Sequence, residues 1–243
     1  MPPPSASTPQ NWPPSLPYLV QPLYSPLLAP SHFLSLRTPE PDLPVIPKSH
    51  KPGPSPNVLI LPITDPNHPA NSQHGLFAAR GLAPGELIVP YIGEIHPGDV
   101  DALGEEGRRH EESDYDLWVD REGDLAVDAA EAGNEGRFVN DYRGVPLPLV
   151  ALGGGGRGGG KRDGRSKGDW KNGGGTRKKP NAEFRSVWDE RRGEKGMGVF
   201  VLRAGKRATG REREVGIRKG EEILVSYGKG FWGGRRDEEE VEG

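Results

Sequence analysis

The sequence predicts a mostly-β protein. Apolar residues come in short runs of strand length, such as VLIL at 58–61 and LFA at 76–78. Glycine and proline separate these runs, as in the turn LAPGE at 82–86. Little of the chain between them follows a helical repeat.

Taken in order, the first element is the run within NVLILPI at 57–63. LFA at 76–78 follows between Gly75 and Gly81, and LIVPYIGEI at 87–95 reads as one strand. The polar stretch 101–114 connects and has room for a helical turn. YDLWVD at 115–120 and LAVDA at 125–129 flank the turn REGD. The segment 129–141, AAEAGNEGRFVND, is a short helical or turn element that ends on an amide and a carboxylate. PNAEFRSVW at 180–188 and GMGVFVL at 196–202 return to strand alternation, and the stretch 217–232 closes the fold.

Around this core the chain is low in pattern. Residues 1–56 hold 17 of the 26 prolines. Proline lacks an amide donor and fixes φ, so the sequence predicts an extended, mostly disordered arm without helices; docking of a short piece on the domain or a partner is the alternative. Between 144 and 179, 13 of 36 residues are glycine and nine are Lys or Arg against two Asp, which predicts a basic disordered insertion. A second polar insertion covers 204–216, and 233–243 is an acidic tail. The domain is therefore 57–232 with its insertions. The net charge of −3 conceals +7 on the segment 144–179 and −10 on the remainder, a surface that suits cationic partners.

Composition excludes several functions. There is no cysteine, hence no disulfide, thiol nucleophile or thiolate zinc site, and the six histidines have no metal-ligand spacing. No apolar run is long enough to span a membrane, and MPPPSASTPQ is not a secretory signal.

Four stretches, in order, resemble SET-domain protein lysine methyltransferases. HGLFAARGLAPGELIVPYIGEI at 74–95 is similar to their opening. DLAVDAAEAGNEGRFVND at 124–141 is similar to their DA…GN…RFxNH segment. PNAEF at 180–184 and IRKGEEILVSYG at 217–228 are similar to their PN and closing motifs. The resemblance spans about 71–232. It implies short β-sheets, few short helices and a knot-like crossing, in which Phe138, Val139 and Asn140 pass beneath a loop of the C-terminal stretch.

The resemblance also implies S-adenosylmethionine as cofactor and a lysine side chain of a protein as substrate, histone tails included. It assigns Tyr227 as catalytic, orienting amine and methyl by weak and ordinary hydrogen bonds. It assigns His74, Gly75, Leu76, Arg137, Asn140 and Asp141 to the cofactor. Asn140 would offer its amide, and His74 its backbone rather than its imidazole. Tyr91, Tyr115, Phe231 and Trp232 would line the substrate channel, the last two where relatives carry a Cys-rich zinc module. Gln73 stands where relatives have glycine, and Asp141 where most have histidine. Tyr91, Tyr115, Phe231 and Trp232 each have a purely structural alternative, and so does Asp141 if it pairs with Arg137 or Arg143. The expected protein is a monomeric, nuclear or cytoplasmic enzyme without metal. Two other readings stay open: a non-catalytic SET-like interaction module, and a protein that binds nucleic acid through 153–179.

Overall fold

A computed structural model describes residues 8–99, 104–147, 178–203 and 216–227. In chain order its elements are β1 (Leu23–Tyr24), α1 (Pro30–Leu36), β2 (Val45–Ile46), β3 (Val58–Pro62), β4 (His74–Ala78), β5 (Leu87–Tyr91) and β6 (Glu94–Pro97). Then come α2 (Glu105–Glu111), β7 (Asp116–Asp120), β8 (Leu125–Asp128), a 3-10 helix (Glu135–Phe138), β9 (Asn140–Asp141), β10 (Ala182–Asp189), β11 (Glu194–Val201) and β12 (Leu224–Val225). The protein is mostly β with few short helices, as its sequence predicts.

The strands form four small sheets, ordered β1-β6-β8-β7, β2-β10-β11-β5, β12-β9 and β3-β4. β11 is buried at every residue because β10 and β5 both pair with it. The tight β10–β11 connection is secured by Asp189. Its carboxylate accepts from the backbone N–H of Arg191 and lies against the Arg191 and Arg192 guanidiniums.

Two sequence expectations are corrected. The run 87–95 is not one strand. It breaks after Tyr91, and its halves join different sheets. Gly93 permits this, since a Cβ there would stand 2.1 Å from the Asp128 carbonyl oxygen.

Residues 8–56 are not a loose arm, and they do contain a helix. Trp12 is buried, edge-on to Phe138 at 5.6 Å and to Tyr18 at 5.0 Å. Leu36 is fully buried, β1 pairs in parallel with β6, and β2 with β10. Proline stands at the first turn of α1, where a missing amide costs nothing. Proline also limits the freedom an unfolded segment loses on ordering, so a few apolar anchors suffice.

The C-terminal stretch runs between two earlier segments. On one edge, Ile223 N–H donates to Leu76 O at 2.8 Å and Ala78 N–H to Glu221 O at 2.9 Å. On the other, β12 lies parallel to β9 with Leu224 opposite Asn140. Asn181 clamps it. The Asn181 amide accepts from Leu224 N–H at 2.8 Å and donates to Glu222 O at 2.8 Å. The segment Phe138–Asn140 thus meets the C-terminal stretch, an arrangement consistent with a SET-like β fold. The ends of the basic insertion meet where Lys178 N–H donates to the carbonyl of buried Val145. The stretch 153–177, residues 204–215, Phe231, Trp232 and the acidic tail lie outside the described residues.

Candidate functional site

The convergence of β4, the 3-10 helix, β9 and the C-terminal stretch opens a cavity of about 330 Å³. His74, Tyr115, Arg137, Phe138, Asn140, Asp141 and Tyr227 line it, with Gln73 and Arg143. Six of the residues that the resemblance singles out are therefore brought together from four separated stretches: His74, Tyr115, Arg137, Asn140, Asp141 and Tyr227. The volume lies within the range of small-molecule sites.

β4 supplies His74 at its first residue. The imidazole stands edge-on to Phe138 at 6.2 Å, and the backbone carbonyl accepts from Asn140 Nδ2 at 3.5 Å. Gly75 and Leu76 do not line the cavity; Leu76 is core. Gly75 acts by its lack of a side chain, since a Cβ would lie 3.1 Å from both Asn140 Nδ2 and Glu222 Oε1.

Arg137 is spoken for. Its guanidinium donates to the carbonyls of Ala129 (2.9 Å) and Ala130 (3.2 Å) and covers the Tyr115 ring at 4.3 Å. It stiffens the wall that Tyr115 forms. Tyr91 lies behind that wall rather than in it. It is buried, edge-on to Phe184, and its hydroxyl donates to Tyr115 O at 2.6 Å. Burial raises the Tyr91 pKa well above the ordinary tyrosine range, which keeps the donor in place.

Asp141 is buried and saturated. It accepts from Arg143 N–H at 2.8 Å, from the Arg143 guanidinium at 2.7 Å and from Tyr227 N–H at 2.7 Å. The pairing with Arg143 is one of the two alternatives the sequence left open; Arg137 has other partners. Tyr227 donates its hydroxyl proton to Val139 O at 2.6 Å, so its oxygen keeps acceptor capacity.

Glu222 escapes sequence reasoning. It is 3% exposed, and its carboxylate accepts from Asn140 Nδ2 and from His68 Nε2, both at 3.2 Å, with Lys178 Nζ at 3.6 Å. Its one signal was its place in a motif that otherwise reads as solvated charge. Among the described residues no group of three or more His, Asp or Glu side chains could hold a metal ion, and no helix is long and apolar enough to cross a membrane.

No protein-family model and no curated protein matches the chain. Among solved structures, it is similar to a chain of an active polycomb repressive complex 2 in the basal state, at 19% identity over 64% of this chain and 14% of that one, with a TM-score of 0.37. A humanized mutant of the Chaetomium thermophilum polycomb repressive complex 2 is similar at 18% identity over 70% and 15%, TM-score 0.40. A polycomb repressive complex 2 in an autoinhibited conformation, bound to S-adenosylmethionine, is similar at 18% identity over 68% and 15%, TM-score 0.38. The chain spans about 15% of the length of these relatives. The whole complexes' activities and partners stay with them.

Proposed function

We propose that this chain transfers a methyl group from S-adenosylmethionine to a lysine side chain of a protein, a histone tail being one candidate, in the nucleus. The observation that carries this is the gathering of His74, Arg137, Asn140, Tyr115 and Tyr227 on one cavity. The residues present fit the cofactor. Gly75 lets β4 lie close against Asn140 and Glu222, and Asn140 presents an amide at the cavity wall. When bound, S-adenosylmethionine supplies the methyl group on a sulfonium.

The chain's own residues do the rest. Asn140 and the β4 backbone hold the amino-acid end of the ligand. Tyr115, braced by Arg137 and Tyr91, walls the amine's approach. Tyr227 acts as an acceptor that orients the amine, because its proton is already donated to Val139 O. Phe231 and Trp232 are proposed to close the channel. Exclusion of water and the sulfonium charge favour the neutral amine that must attack.

Gln73, which lines the cavity at a glycine position of the family, favours a second reading as a non-catalytic interaction module. One experiment separates them. The full chain is titrated with S-adenosylmethionine by calorimetry, then incubated with labelled cofactor and histones. Saturable binding lost in Asn140→Ala, with label transfer lost in Tyr227→Phe, is the expected result. Absence of binding leaves the module reading.

A further inference from the structure

We infer that Glu222 is a positioning residue that turns the Asn140 amide oxygen toward the ligand, so that the site selects ligands carrying an ammonium group. This rests on the cofactor site proposed above. Glu222 Oε1 accepts from Asn140 Nδ2 at 3.2 Å, and Oε2 faces His68 Nε2 at 3.2 Å. The His68 tautomer is set on its other side: Nδ1 accepts from Ala70 N–H at 3.0 Å, so the ring proton sits on Nε2 and is donated to Glu222. Lys178 Nζ, 3.6 Å from Oε2, adds positive charge on the same side. Both carboxylate oxygens are thus acceptors.

The second group facing Asn140 Nδ2 is the His74 carbonyl, also an acceptor. A reversed amide would set its oxygen against two acceptors, one of them in a buried carboxyl group, which is costly. Nδ2 is therefore fixed inward. The amide atom left for a ligand is Oδ1, which can only accept. The complementary group is an amine or ammonium, such as the α-amino group of an adenosyl amino acid. Neither Glu222 nor His68 needs to touch that ligand.

The test uses the full chain and two probes, S-adenosylhomocysteine and methylthioadenosine, which has the nucleoside and thioether but no amino-acid part. Glu222→Gln keeps the size but can offer an N–H to Asn140 and release its orientation. Calorimetry should then show affinity for S-adenosylhomocysteine falling about tenfold or more, the scale of a lost charge-assisted hydrogen bond. Affinity for methylthioadenosine should change less than about twofold. His68→Gln, which disturbs the same relay one step back, should give a smaller loss with the same ligand selectivity, and it carries the test if Glu222→Gln does not fold. Equal loss for both probes, or no loss in folded variants, overturns this inference and leaves the site intact. A wild-type chain that binds neither probe overturns the cofactor site as well.

Discussion

The carboxylate of Asp141 accepts a hydrogen bond from the backbone N–H of Tyr227 at 2.7 Å. One buried side chain thus ties β9 to the tyrosine just beyond β12, while its other contacts hold Arg143. At the position where the sequence resemblance would place histidine, this chain has an acceptor with a structural task.

Replacing Asp141 by histidine should therefore harm the protein. Asp141→His removes three hydrogen bonds and leaves the Tyr227 and Arg143 N–H groups short of an acceptor. The expected loss is on the order of 3 kcal/mol in urea unfolding. Asp141→Asn retains acceptor capacity and should lose roughly 1 kcal/mol. Asp141→His as stable as the wild type would refute the assignment.

Trp12 should count as core despite its proline-rich setting. Trp12→Ala should lower stability by about 3–5 kcal/mol, since the ring is buried between Tyr18 and Phe138. A chain starting at residue 57 should show a lower Tm and bind a hydrophobic dye more strongly than the full chain. An unchanged Tm in both would return residues 8–56 to the status of a loose arm.

Tyr91→Phe should cost about 1 kcal/mol, because it deletes the hydroxyl that reaches Tyr115 O while keeping the packing against Phe184. Tyr115 fluorescence, compared in a Tyr115→Phe background, would report loosening of the wall.

Stability should depend on pH through His96, whose ring stacks on that of His110 with centroids 3.6 Å apart, and through Asp128. Burial opposes charge on His96, but the hydrogen bond and charge of Asp116, the Pro97 carbonyl and the Asp128 charge outweigh it and raise its pKa. A raised histidine pKa stabilises fully below about pH 6.5, and the benefit is lost as pH rises through the folded value. Burial would raise the pKa of Asp128, yet hydrogen bonds from His110, Ser113 and Ala130 N–H and the His110 charge lower it. That benefit is present above about pH 4 and lost as pH falls through the folded value. Together they place the cluster's contribution between about pH 4 and 6.5. In urea unfolding, Asp116→Asn should be destabilised more at pH 5.5 than at pH 8; a deficit independent of pH would contradict the coupling.

Much of the strand pattern was legible because each run is local. VLIL at 58–61 and LAVDA at 125–129 mark β3 and β8 nearly to the residue. The break of 87–95 was not, because it follows from Gly93 approaching the distant Asp128 carbonyl. For Asp141 the sequence left a cofactor role open beside pairing with Arg137 or Arg143, and of the two arginines it is Arg143 that it meets. Glu222 was invisible, since a carboxylate two residues from a glycine turn reads as solvated until its partners His68 and Asn140 are placed beside it.

By itself the sequence determined the mostly-β class and the absence of cysteine chemistry. Those properties reside in short windows of apolar and turn residues, whose preferences do not depend on distant partners. Tertiary structure alone decided which side chains face the cavity and which brace it, that Trp12 belongs to the core, and which way the Asn140 amide is turned. Several of these depend on contacts between residues distant in the chain, such as Asn140 with His74, Tyr227 with Asp141 and Trp12 with Phe138. Local preference carries no information about such contacts, because burial and hydrogen-bond partners exist only once the chain has closed on itself.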